Sequence, residues 1–160
     1  MSLPRALLIG YGNPGRGDDG LGPAFAERIA GKDLPGLSVE IDFQLTADHA
    51  LTISRHDLVI FADASVACDE PFVFAELANE TPQNLGSHSV TPGAAVALCR
   101  LLFQTRPRAF VLEIAGRNFG QINEGLSPAA LGNLELAEAF FVDWHGNYQA
   151  SAAGCLVGGR

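Results

Sequence analysis

The chain has 160 residues, which suits one domain with a core large enough to need neither disulfides nor metal to hold it. Hydrophobic residues make up 48 % and charged residues 18 %, a balance that excludes disorder along the whole chain. The 10 Lys plus Arg against 18 Asp plus Glu give a net charge of −8, and Lys32 is the sole lysine, so the composition argues against a nucleic-acid or anionic-membrane binder.

In chain order, Ala6–Tyr11 is a short apolar run closed by glycine and reads as a buried strand. Residues 12–22 form a loop with five glycines, Pro14 and the pair Asp18–Asp19. Pro23–Ala30 has apolar residues at helical spacing and stops at Gly31. Leu37–Phe43 alternates with period two, as a strand does, and Thr46 is placed to cap a short helix ending at Ser54. Leu58–Ala62 is a second continuous apolar strand, and Phe72–Leu77 reads as an antiparallel edge strand. After a polar stretch, Thr91-Pro92 signals a helix start, with Ala94–Phe103 continuing it. Ala109–Ile114 is a further strand, and Ser127-Pro128 opens a helix to Val142. These elements predict an α/β fold: one three-layer domain over residues 1–142, a mostly parallel twisted sheet with an antiparallel edge strand and helices on both faces. Residues 143–160, rich in Gly and Ala without periodicity, are expected to form a loosely held or disordered tail.

Cys68, Cys99 and Cys155 are odd in number, widely spaced and contain no CxxC pair. They read as reduced thiols of a cytoplasmic protein. The apolar run from Ala6 to Ile9 is too short for a signal-peptide core or a membrane span. Ligands of an open α/β sheet sit beyond the carboxyl ends of its strands, so the loops there are the places to look for chemistry.

Gly10-Tyr11-Gly12-Asn13-Pro14-Gly15 fits G-x-G-x-x-G after a strand, and Asp42 stands where a ribose-binding acid would. A dinucleotide- or flavin-binding module using Gly10–Gly15 is therefore one reading. Against it, Pro14 lies inside the turn, the glycines continue past it, and Asp18 and Asp19 bring negative charge to the place of a pyrophosphate. The other reading is that the glycines position carboxylates. Adjacent side chains in an extended segment point opposite ways, so one aspartate can face the cleft while its neighbour bonds backbone or caps the helix. Asp63 follows the Leu58–Ala62 strand, whose loop can converge with that of Asp19, and His88 lies just before the Thr91-Pro92 helix start. His49, His56 and His145 are less well placed. Two carboxylates and an imidazole suit a divalent transition ion such as Ni, Zn, Mn or Fe and leave coordination positions open for catalysis or transient capture. Cys68 is a weak nucleophile candidate, because Asp69 and Glu70 beside it favour the thiol over the thiolate.

These residues carry a resemblance. The run Gly10-Tyr11-Gly12-Asn13-Pro14-Gly15-Arg16-Gly17-Asp18-Asp19-Gly20-Leu21-Gly22, then Phe61-Ala62-Asp63-Ala64, then His88 before a helix, is similar to the pattern of the hydrogenase maturation endopeptidases. Gly116-Arg117-Asn118-Phe119-Gly120 and Glu124-Gly125-Leu126-Ser127-Pro128 resemble that family's late loop and helix start. The resemblance implies a five-stranded sheet and a protease that removes the C-terminal extension of a [NiFe]-hydrogenase large-subunit precursor after nickel insertion. It places both the metal ligands and the catalytic residues on Asp19, Asp63 and His88. Nickel is then delivered by the substrate, and neither nucleic acid nor membrane is a partner. Many members carry glutamate at the Asp19 position; the aspartate here shortens the reach by about 1.5 Å.

Overall fold

A computed structural model describes residues 3–78, 90–120 and 122–157, with side chains described as far as residue 153. The elements follow as β1 (Ala6–Tyr11), α1 (Leu21–Ala30), β2 (Leu37–Asp42), α2 (His49–Ser54), β3 (Leu58–Ser65), β4 (Phe72–Glu76), α3 (Pro92–Phe103), β5 (Arg108–Ala115) and α4 (Pro128–Val157), with a 3-10 turn over Gly17–Gly20 between β1 and α1. The five strands form one sheet in the order β2-β1-β3-β5-β4. All neighbouring pairs are parallel except β4–β5, which is the expected antiparallel edge.

β1, β3 and β5 lie inside the sheet and are covered on both faces, which is why they read as nearly unbroken apolar runs. Leu8, Ile60 and Leu112 face α1 and α4, while Leu7, Val59 and Ala109 face α2 and α3. From β1 the chain crosses to β2 on one side, and its next strand, β3, returns to the other side of β1. The crevice beyond the carboxyl ends of β1 and β3 is therefore the point where strand order reverses, the usual ligand position in open α/β sheets.

Local signals account for most boundaries. Thr91 Oγ1 accepts from the Ala94 N–H at 3.1 Å, with Pro92 opening α3. Ser127 Oγ accepts from the Ala130 N–H at 3.2 Å at the start of α4. The expected Thr46 cap does not form: α2 begins at His49, and the Thr46 N–H instead donates to His49 Nδ1 at 2.9 Å.

The boundary expected at Val142 is corrected, because α4 continues to Val157 and residues 143–157 belong to it. Tertiary contacts override the glycines of this stretch. The Trp144 ring lies 4.9 Å from both Phe74 and Phe110, and Tyr148 lies 5.3 Å from Trp144. His145 Nε2–H donates to the Pro35 carbonyl at 2.7 Å, and Gln149 Nε2–H to the Pro4 carbonyl at 3.1 Å. Ring burial and these bonds outweigh the roughly 1 kcal/mol that a glycine such as Gly146 costs inside a helix. No helix among the described residues is long and apolar enough to cross a membrane.

Candidate functional site

The two loop aspartates have different surroundings. Asp18 is fully buried. Its carboxylate accepts from the N–H groups of Arg117, Asn118 and Ser127 at 2.8, 2.9 and 2.7 Å and from the Ser127 hydroxyl at 2.7 Å. Burial pushes its pKa up, but the four bonds outweigh that and hold it below the ordinary carboxylate value. Asp18 thus ties the loop after β1 to the loop after β5 and to the start of α4. Asp18 N–H and Gly17 N–H return bonds to the Asn118 and Asn123 carbonyls at 2.8 and 2.7 Å. A cleft of about 550 Å³ opens between these loops, walled by Gly17, Asn118, Asn123 and Ser127, with Asp19 and Asp63 outside it.

Asp19 Oδ2 accepts from the Asn13 N–H at 2.8 Å. The turn reaches that position because Gly12 has φ +146° and the Asp19 carbonyl packs where a Cβ on residue 12 would stand. The Asn13 amide, which a dinucleotide loop would turn toward phosphate, is therefore taken by the chain's own carboxylate. Gly10 and Gly22 pack strand against helix: a Cβ on Gly10 would fall 2.5 Å from Ala26 Cβ.

Asp63 lies within β3 rather than after it, because pairing with β5 continues to Ser65. Its partner in register is Glu113, and Tyr11 on β1 stands one step past the last β1–β3 pair, Gly10 with Ala62. Tyr11 is in turn paired with Asp42 on β2. Paired residues in a parallel sheet share a face, so Asp42, Tyr11, Asp63 and Glu113 form one row at the carboxyl end of four adjacent strands. The row continues the face that packs on α2 and α3.

Burial pushes the Asp63 carboxyl up to about 6. The Ala64 N–H, donating to Asp63 Oδ1 at 2.8 Å, and the Tyr11 hydroxyl act against the rise, while the charges of Asp19 and Glu113 add to it. Asp19 and Asp63 are therefore within electrostatic reach of each other at the crevice. Burial also raises the Tyr11 hydroxyl far above the usual phenol range, helped by the charge of Asp63, so it remains a proton donor. Among the described residues, no three His, Cys, Asp or Glu side chains gather closely enough to hold a metal on their own. His88, the third expected ligand, lies outside the described residues.

The remaining candidates have other partners. Asp42 faces His49 Nε2 at 3.5 Å. Because His49 Nδ1 accepts from the Thr46 N–H, the ring proton sits on Nε2, toward that carboxylate. His49 is buried and braces the loop after β2, where Leu45 points inward and Phe43 is 69 % exposed. Cys68 has its thiol pKa raised, by burial first and by Glu113 and Asp69 as well, which disfavours a nucleophile. Cys99 is fully buried in the core. Sequence reading did not single out Tyr11 and Glu113 as parts of the site. The available signal was a lone charge in the apolar run AFVLEIA and a tyrosine closing the first strand; strand register was needed to bring them beside Asp63.

No protein-family model matches the chain, and no curated protein matches it by sequence. Solved structures match its architecture. A hydrogenase 2 maturation peptidase from a Thaumarchaeota archaeon superposes with a TM-score of 0.66 at 17 % identity, covering 89 % of this chain and 98 % of that one. The [NiFe] hydrogenase maturation protease HycI from Thermococcus kodakarensis gives 0.67 at 22 % identity, over 86 % and 90 % of the two chains. The hydrogenase maturating endopeptidase HybD from E. coli gives 0.64 at 18 % identity, over 86 % and 89 %. The chain has the fold of the hydrogenase maturation peptidases.

Proposed function

We propose that this protein is a hydrogenase maturation endopeptidase, which removes the C-terminal extension of a nickel-loaded [NiFe]-hydrogenase large-subunit precursor. What supports the reading is Asp63 at the crevice between β1 and β3, where burial first, and the charge of Asp19 as well, push its carboxyl up to about 6. Two carboxylates held in this way repel each other, and a cation between them relieves the repulsion. With His88 from the segment before α3 they offer three ligands to a metal that the precursor brings, so that only a nickel-loaded precursor is accepted.

The bound nickel, or a carboxylate beside it acting as base, would activate the water that attacks the scissile amide, with the proton passing to the leaving amine. Asp18 supports this chemistry without taking part in it, by fixing the loop from which Asp19 projects. The exposed Phe43 and Val66, which follow β2 and β3 at the same end of the sheet, suit a protein substrate better than a dinucleotide.

The deciding experiment incubates the purified protein with nickel-loaded and nickel-free precursor and reads loss of the C-terminal peptide by mass. Cleavage of the loaded form alone is expected, and Asp63→Asn or His88→Ala abolishes it while the protein stays folded. Normal processing by either variant removes the site assignment. Stabilisation by NAD or FAD with no response to Ni²⁺, Zn²⁺ or Cd²⁺ in a thermal-shift screen would replace the reading with a nucleotide-binding one.

A further inference from the structure

We propose that Tyr11 is a positioning residue of this site, its hydroxyl holding the Asp63 carboxylate in a single orientation beside the loop that carries Asp19. This rests on the reading that Asp63 meets the substrate's nickel, while the pairing of Tyr11 with Asp63 is argued from strand register and packing. Tyr11 closes β1, its ring packs against the core beneath α2 and α3, and the β1–β3 register sets it next to Asp63 on the same face. Packing alone would be served by phenylalanine, whereas a phenol hydroxyl taken out of water needs a partner. Strand register sets the Asp63 carboxyl beside Tyr11 on the same face, and it is the acceptor the proposal assigns to the hydroxyl.

The Ala64 N–H already fixes one carboxylate oxygen, Oδ1, at 2.8 Å. A backbone donor and a phenol together restrict rotation of the carboxylate, against the push of Glu113 from the neighbouring strand. A carboxylate so held meets a metal or a reacting water without first giving up rotational freedom. Groups that orient a metal ligand in this way typically change metal affinity by about 10- to 100-fold when removed.

The test uses the full chain and Tyr11→Phe, which keeps the ring and removes only the hydroxyl. Without metal, melting temperatures are measured for the four proteins of a cycle pairing Tyr11→Phe with Asp63→Asn. Tyr11→Phe is expected to lower the melting temperature by about 2–4 °C in the wild-type background and by much less beside Asp63→Asn. Equal losses in both backgrounds overturn the proposal.

The second arm measures Co²⁺ affinity, the Co²⁺ d–d spectrum and steady-state processing of nickel-loaded precursor. Tyr11→Phe is expected to weaken Co²⁺ binding by about tenfold, to change the spectrum, and to lower kcat by a similar factor with KM nearly unchanged. Wild-type spectrum and kcat in the Phe variant of an active enzyme overturn the proposal. A wild type that binds no Co²⁺ and cleaves nothing, while the cycle still shows coupling, instead overturns the endopeptidase reading and leaves the Tyr11–Asp63 pair standing.

Discussion

Removing the Asp63 charge should make the metal-free protein more stable, although it destroys the site. Asp63 is raised from 3.8 to about 6 in the folded protein, chiefly by burial. A carboxyl with a raised folded pKa opposes folding when ionised. The penalty is absent below pH about 4, where folded and unfolded forms are both protonated, grows as pH climbs from there to about 6, and is complete above that. At about 1.36 kcal/mol per pKa unit, the rise corresponds to about 2–3 kcal/mol, the lower figure allowing for solvent at a side chain that is only partly buried. Asp63→Asn keeps an acceptor for the Ala64 N–H and removes the charge. At pH 8 the variant should therefore exceed the wild type by about 2–3 kcal/mol, or roughly 5–10 °C in melting temperature for a chain of this size. The gap should close toward pH 4. Circular-dichroism melts of both proteins between pH 4 and pH 8, in the presence of chelator, measure it. A variant less stable than wild type at pH 8, or a gap that does not change with pH, would refute the reasoning.

Asp18→Ala strips the acceptor from three backbone N–H groups and the Ser127 hydroxyl, so it should cost about 3–5 kcal/mol in urea denaturation. The contribution of Asp18 has the opposite pH sign to that of Asp63: its lowered folded pKa gives stability above its ordinary value that is lost as pH falls through the folded one. Gly22→Ala would force a Cβ to within 2.6 Å of the Ala62 carbonyl and against that of Tyr11, where β1 and β3 meet α1, and should yield little soluble protein or lose about 3 kcal/mol or more. Deleting residues 143–160 should abolish cooperative unfolding because Trp144, His145 and Tyr148 leave the core with them; a truncated chain with an unchanged melting curve would restore the tail reading.

The candidate carboxylates were legible as residue types toward the carboxyl ends of apolar runs. Asp19 and Asp63 stand out because each lies near the end of an apolar run, and an acid there must face either the crevice or a hydrogen-bond partner. Their division of labour with Asp18 was not legible. Which of two adjacent aspartates is buried depends on the late loop, about 100 residues away, whose N–H groups converge on Asp18 alone. Tyr11 and Glu113 were missed for a related reason, since neither has a motif of its own and both gain meaning only from the strands beside them.

What the linear chain determined by itself was the alternation of strands and helices, the antiparallel edge and the capped starts of α3 and α4, because apolar periodicity and Pro, Ser and Thr at helix starts act over a few residues. Tertiary structure alone decided the fate of residues 143–157 and the row of side chains around Asp63. Its alanines favour helix and its glycines oppose it, and it became helix because Trp144 found Phe74 and Phe110 on β4 and β5 while Tyr148 packed on Trp144 and accepted from Arg108. The row exists because parallel pairing puts residues distant in sequence side by side, and no local pattern encodes the register of strands that are not neighbours in the chain.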